Sequence, residues 1–408
     1  MERREAVVIG TGMAGVGAAA MLRRRGFDVL SLERSDSIGA SWRARYDRLH
    51  LNTLGWLSAL PGQRFPRRHG PYPSRAAVIE YLEAYAARCD LDIRFRTEAA
   101  RLERASAGWT VHVRDREPVS AGWVVVATGF DREPVIPAWP GRERFSGEIA
   151  HGAHYRNAQP YQGKDVLVVG AGNTASDLVT DLVEGGAGRV RIAIRTPPNI
   201  FPRRVNGLPL QYSAFVYELL PPRLFDMSGF FIQRLLYGDL SKHGLPRAPE
   251  GVQSHFLATC HGPMVDEGFV RALKAGKVEV LPAVECFEGD DVVLVDGRRI
   301  QPEAVLAGTG YRRALDPLVG HLGVLTHTGS PAVHGAETHA DAPGLYFIGF
   351  ISRISGQLRL MRGDARRIAQ AVARERDGAR PFVRVPKPAG RFSASRRTGR
   401  RSGLAALP

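Results

Sequence analysis

One local pattern occurs twice in this chain and restricts its fold more than any other feature. Near the start, the apolar run Ala6-Val7-Val8-Ile9 enters Gly10-Thr11-Gly12-Met13-Ala14-Gly15. A small-residue stretch from Val16 to Arg25, the break Gly26 and a second strand-like run from Phe27 to Leu32 follow. A short run that is apolar throughout predicts a parallel strand buried on both faces, and strand, glycine turn, helix, strand make one βαβ unit. The same order returns at Asp165 to Val169, Gly170-Ala171-Gly172-Asn173-Thr174-Ala175, a helix from Ser176 to Glu184, the break Gly185-Gly186 and a strand from Arg189 to Ile194.

Such a turn brings backbone N–H groups at a helix N-terminus close to a pyrophosphate, where the helix dipole favours negative charge and a Cβ would obstruct the approach. One copy alone could be an ordinary tight bend. Two copies, each followed by a polar residue at a suitable distance, predict two dinucleotide sites. In the first, Glu33 stands 18 residues past Gly15, can accept from a ribose 2′-OH and would repel a 2′-phosphate, which suits FAD or NAD. The second copy has Arg195-Thr196 at the corresponding place, with Arg203 and Arg204 close behind, which suits the 2′-phosphate of NADPH. The alternative for Arg195 is a solvated arginine at a strand end.

Two further turns bracket the second unit. Trp123 to Ala127 reads as a buried strand ending in Thr128-Gly129, and Ala304 to Ala307 runs into Gly308-Thr309-Gly310-Tyr311. A chain that starts in one nucleotide domain, enters a second and returns needs two crossovers, and these turns fall where they would lie. Gly344 to Gly349 then reads as another short strand. After Gly356-Gln357, a helix from Leu358 to about Glu375 closes the first domain with its N-terminal amides toward a flavin edge. The fold class is α/β, with two Rossmann-like dinucleotide-binding domains and the NADPH domain inserted into the FAD domain.

Charge adds less than its total suggests. The formal excess is +15, but Arg380, Arg384, Lys387, Arg391, Arg396, Arg397, Arg400 and Arg401 carry over half of it with no acidic residue between them. A solvated, disordered tail is expected there, and no nucleic-acid partner. Cys89, Cys260 and Cys286 lie far apart, which leaves no CxxC redox pair, no Cys/His metal spacing and no disulfide framework, and fits a cytoplasmic protein. The first strand begins within six residues of Met1, so no signal peptide is expected. No apolar run approaches the roughly 18 residues of a transmembrane segment.

From about residue 5 to 375 the arrangement resembles the class B flavin monooxygenases. Phe145-Ser146-Gly147-Glu148-Ile149-Ala150-His151-Gly152-Ala153-His154-Tyr155 fits the family fingerprint FxGxxxHxxx(Y/F/W) between the two glycine turns. Ala127-Thr128-Gly129 followed by Pro134, Pro137, Pro140 and Gly141 is similar to the family's ATG and proline run. Tyr46 to Leu51, Leu60-Pro61, Phe65-Pro66, Tyr72-Pro73-Ser74, Ile79 to Leu82, Phe201-Pro202-Arg203 and Pro263 to Gly268 resemble the YUCCA-like subgroup. The fingerprint ends in Tyr155 without the Trp-Pro or Trp-Asp of many Baeyer-Villiger members.

The resemblance implies a single-component monooxygenase. NADPH reduces FAD, the reduced flavin adds O₂ at C4a, and one oxygen atom passes to a small organic substrate. Expected reactions are N- or S-oxygenation or YUCCA-like oxidative decarboxylation of a 2-oxo acid; the alternatives are Baeyer-Villiger oxygenation and a flavin-binding regulatory protein without turnover. Such chemistry asks the protein for a dry site rather than a catalytic triad. Asn52, aligned roughly with an asparagine near the oxygen adduct in relatives, is the catalytic candidate, against a plain turn or helix cap. Candidate cofactor contacts are Gly10, Gly12, Gly15, Glu33, Arg34, Trp42, Thr128, Gly129, Gly170, Gly172, Asn173, Thr174, Ala175, Arg195, Thr196, Arg204, Thr309, Gly310 and Gln357. His151 and Tyr155 read as organisers of the interdomain connection. Expected boundaries are an FAD domain over 1–160 and 309–378, an NADPH domain over 161–308 with a helical insertion at about 207–262, and the basic tail over 379–408. The insertion could roof a substrate tunnel, rest on a membrane or be interdomain core. Oligomeric state is left open.

Overall fold

A computed structural model describes residues 1–212, 215, 220–378 and 383–384. The chain opens with strand β1 (Glu2–Ile9), helix α1 (Met13–Arg23) and strand β2 (Val29–Leu32), the expected first unit. Helix α2 (Arg75–Arg88) follows, started by Ser74, whose side chain accepts from the Ala77 amide. Strands β3 (Asp92–Arg94), β4 (Ala99–Ala105), β5 (Gly108–Val113) and β6 (Val119–Val126) complete the first passage. After the crossover come β7 (Glu148–His151), β8 (Asp165–Val169), α3 (Asn173–Glu184) and β9 (Arg189–Ala193). Next are β10 (Ile200–Pro202), α4 (Pro222–Tyr237), α5 (Val252–Thr259), β11 (Met264–Asp266), β12 (Val278–Leu281) and β13 (Ala304–Ala307). The return supplies β14 (Leu345–Phe347) and α6 (Gln357–Arg376).

The first sheet runs β3-β2-β1-β6-β5-β4. Strand β6 pairs antiparallel with β5 through Val119–Ala121 and parallel with β14 through Val124–Val126. Alternation across β1 follows from the two-residue period of a strand: Ala6 and Val8 join the core under α1, α2 and α6, while Val7 and Ile9 pack with Trp109, Val111 and Phe347 on the other face. Burying each such Val or Leu side chain stabilises the fold by about 1.5–3 kcal/mol. A second sheet, β12-β9-β8-β13-β7, is parallel throughout, with Val166 and Val168 on one face and Leu167 and Val169 on the other.

Strand β7 pairs with β13 at the edge of this second sheet, so the segment expected to form the connection between domains contributes a strand instead. It precedes the expected boundary at residue 160. Its partly exposed Glu148-Ile149-Ala150 stretch is why no apolar run announced it. The stretch from 207 to 262 contains α4 and α5, and α4 exposes Leu224, Met227, Phe231 and Leu235. Val383–Arg384 pairs in parallel with Thr338–His339, so the tail is anchored near its start; the rest of the tail expectation lies outside the described residues. Among the described residues, no helix is long and apolar enough to cross a membrane, and no group of three or more His, Cys, Asp or Glu side chains could hold a metal ion.

Candidate active site

Each glycine turn closes against the crossover of its own sheet. Gly10 has φ +102°, and a Cβ there would stand 2.7 Å from the Ala127 carbonyl oxygen; Gly170 has φ +139°, with the Gly308 carbonyl oxygen 2.4 Å from the same position. Both values lie in the region that L side chains avoid. The N-caps of α1 and α3, Gly12 and Gly172, have extended backbone, no side-chain cap, and nothing within 4 Å of a Cβ position. Two helix N-termini are thus left open, each long enough to present a dipole to a phosphate. Beside the first, the hydroxyl of Thr128 is buried with no hydrogen-bond partner, a donor that a bound cofactor could satisfy. These features fit two dinucleotides.

Glu33, 8% exposed at the end of β2, ties the first turn together. Its Oε2 accepts from the Thr11 amide at 2.9 Å and the Thr11 hydroxyl at 2.7 Å, and its Oε1 accepts from the Ser35 amide at 3.0 Å. The Gly39 amide donates to the Thr11 carbonyl, which brings the short helix carrying half-buried Trp42 over the same turn. Arg34 is exposed and lines a cavity of about 620 Å³ with Arg96, Arg114 and Arg116 and the carboxylates Glu98 and Asp115.

In the second turn, Asn173 Oδ1 accepts from the Val265 amide at 2.7 Å, tying α3 to β11. Thr174 and Ala175 pack against Gly152 and Gly308. Arg195 and Thr196 are exposed beyond β9. Arg204, in contrast, turns toward the first domain, its guanidinium 4.9 Å from the centre of the Tyr72 ring. Thr309 donates to the Val135 carbonyl, and Gly310 accepts from His151 Nε2 at 3.0 Å. His151 Nδ1 accepts from the Ala153 amide, so the imidazole is a neutral bridge inside the second sheet. Burial pushes its pKa below the ordinary histidine value. Tyr155 donates to Asp181 at 2.6 Å. Both side chains are thus engaged in hydrogen bonds.

At the domain boundary, Asn52 is not a helix cap: the short helix Gly55–Ser58 has Leu54 as N-cap with no side-chain bond. Asn52 Oδ1 accepts from Arg203 Nη2 at 3.0 Å instead. Its neighbour Thr53 stands against Gly356, the N-cap of α6, and Gln357 Nε2 donates to the Gly349 carbonyl at 2.8 Å. Gln211, from the insertion, accepts from the Leu54 amide and donates to the Ser355 carbonyl, both at 2.7 Å, and so closes the insertion over this corner. Sequence reasoning missed Gln211, which lies in no motif. A cavity of about 690 Å³ adjoins the corner, lined by Arg48, His50, Tyr72 and Asp177 among others, with Arg203 and Arg204. Burial disfavours the charge of Arg203, and Glu267 and Asp177 oppose that.

The family described as pyridine nucleotide-disulphide oxidoreductase matches residues 7–203. Indole-3-pyruvate monooxygenase YUCCA1 of Oryza sativa subsp. japonica is 34% identical over 362 residues, covering 86% of this chain and 89% of the relative. Among solved structures, a mutant flavin monooxygenase from Stenotrophomonas maltophilia has a TM-score of 0.70 at 25% identity, covering 92% of this chain and 99% of the other. Cyclohexanone monooxygenase from Rhodococcus sp. Phi1 bound to NADP+ has a TM-score of 0.72 at 19% identity, covering 92% and 85%, and speaks to the fold alone. The three cysteines, Cys89, Cys260 and Cys286, are free.

Proposed function

This chain belongs to the YUCCA-like flavin monooxygenases, FAD- and NADPH-dependent enzymes, and from that premise we propose that its substrate is an aromatic 2-oxo acid. The single observation that carries this reading is the identity to an indole-3-pyruvate monooxygenase across nearly the full length of both chains. The reaction would consume the 2-oxo acid, O₂, NADPH and a proton, and yield the carboxylic acid one carbon shorter, CO₂, water and NADP+. Bound FAD supplies the oxygen activation. The protein supplies two phosphate cradles, a docked boundary and the exclusion of water.

Within this reading, the amides opening α1 hold the FAD pyrophosphate, with Gly10, Gly12 and Gly15 giving access. Glu33 accepts from the ribose while bracing Thr11. Arg34, Trp42, Thr128 and Gly129 surround the same cofactor, and Gln357 orders the start of α6 at the flavin ring. Gly170, Gly172, Asn173, Thr174, Ala175, Thr309 and Gly310 form the NADPH cradle, and Arg195 with Thr196 takes the 2′-phosphate. The turn of Arg204 toward Tyr72 supports a place for it in the boundary cavity rather than on that phosphate. Asn52 donates from its amide beside the flavin. The NADPH domain is read as 161–308 with β7 added, between FAD-domain parts 1–147 and 309–378, and the enzyme as cytoplasmic, with the tail as solvated charge rather than a nucleic-acid surface.

The test is substrate-dependent NADPH consumption, corrected for released peroxide. Phenylpyruvate and indole-3-pyruvate are compared with a thioether, a tertiary amine and cyclohexanone. Phenylacetate and CO₂ from phenylpyruvate are expected; a lactone from cyclohexanone with no turnover of either 2-oxo acid would replace this reading with the Baeyer-Villiger one.

A further inference from the structure

Strands β10 and β11 pair in parallel with Pro202 opposite Asp266, so the next residues, Arg203 and Glu267, leave the second domain side by side. Arg203 Nε lies 3.0 Å from Glu267 Oε1, an ion pair whose angle is too bent for a hydrogen bond. The Arg203 side chain is only 10% exposed. Its guanidinium sits 5.0 Å from the centre of the Tyr72 ring, and its carbonyl accepts from the Tyr72 hydroxyl at 3.1 Å. From this fixed position, Nη2 crosses to the first domain and donates to Asn52 Oδ1.

An arginine has only donors, whereas an amide has one acceptor end and one donor end. Contact with Arg203 therefore settles which way the Asn52 amide faces, because the flipped amide would set two donors against each other. Among the described residues, Asn52 Nδ2 meets no acceptor. We propose that Arg203 is a positioning residue for the oxygenation step: held by Glu267 and Tyr72, it fixes Asn52 Oδ1 and leaves Nδ2 as the one end of the amide that can donate at the flavin edge. The inference rests on reading Asn52 as the donor there. It makes that donor depend on the docking of the second domain, because both Arg203 and Glu267 belong to it.

The holoenzyme tests this through the ratio of peroxide released to NADPH consumed with phenylpyruvate, a ratio independent of how fast the flavin is reduced. Arg203→Ala should raise it about 5–10-fold, the scale of one ordinary hydrogen bond, with Arg203→Lys recovering part of the loss. Glu267→Gln, which leaves both contact residues in place, should give a smaller rise and serves if Arg203→Ala does not fold. The Asn52→Ala, Arg203→Ala double variant should be no worse than Asn52→Ala alone, and the thermal midpoints of the wild type, the Asn52→Ala and Arg203→Ala variants and the double variant should show coupling between the two sites. Additive effects in ratio and midpoint would overturn the proposal. So would a loss of NADPH preference over NADH at an unchanged ratio, which would make Arg203 a 2′-phosphate ligand. An unchanged ratio in Asn52→Ala would instead sink the reading of Asn52 itself.

Discussion

The phenol of Tyr46, in the first domain, donates to Asp177 Oδ2 in α3 of the second at 2.7 Å, and both side chains are buried. Burial is the largest influence on Asp177 and raises its pKa above the ordinary carboxyl value, although Tyr46, Arg48 and Arg203 favour the anion. The sign follows from linkage: the folded protein holds this proton more readily than the unfolded chain. The contribution of Asp177 is then most favourable below about pH 4 and declines as pH rises through the folded-state value. Asp177→Asn keeps an acceptor for Tyr46 and removes the buried charge. Its thermal midpoint should exceed the wild-type value by about 1–3 °C at pH 8, with the gap closing toward pH 4. Melting curves across that range decide it, and a variant that loses stability at pH 8 would show that the anion is held favourably by Arg48 and Arg203.

Glu33 already accepts three hydrogen bonds from the first glycine turn and its neighbour. Glu33→Ala would leave the buried Thr11 amide and hydroxyl unpaired, at a cost of about 1–3 kcal/mol each. The variant should purify with little flavin, and Glu33→Gln should retain more, because its carbonyl can still accept from Thr11. The ratio of absorbance at 450 nm to that at 280 nm after gel filtration measures this. Full flavin content in Glu33→Ala would contradict the role.

The two glycine turns were legible because their demands are local. Positive φ at Gly10 and Gly170, and close carbonyls behind both, leave a mark within a few residues of sequence. The strand that follows each helix was legible from the same units. What could not be read is what depends on distant pairing. Strand β7 has no apolar run, and only its partner β13 makes it a strand of the second sheet. The β4-β5-β6 meander widens the first sheet beyond a bare nucleotide unit. Arg203 meets Asn52 across 151 positions and Gln211 meets Leu54 across 157, separations for which no periodicity exists.

Arg195 and Arg204, read together from sequence, face different surroundings in the fold. Arg195→Ala should raise KM for NADPH about 10–100-fold and leave KM for NADH within about twofold, as expected for one charge-assisted contact to a phosphate. Arg204→Ala should disturb that preference far less and instead raise KM for phenylpyruvate. Steady-state kinetics with both nicotinamides checks the pair, and an equal loss of NADPH preference in the two variants would return Arg204 to the phosphate.

Val383–Arg384 pairs with Thr338–His339. A chain ending at Arg384 should therefore match the full-length protein in turnover and thermal midpoint, whereas one ending at Gly378 should melt about 1–2 °C lower for loss of the paired backbone. A large fall in turnover in the chain ending at Arg384 would give the basic tail a part in catalysis.

Because β7 and β13 lie next to each other, the polypeptide enters and leaves the inserted unit through neighbouring ladder partners. Both covalent attachments therefore lie along one border of the second sheet, and side-chain contacts such as Tyr46 to Asp177 and Arg203 to Asn52 hold the unit elsewhere.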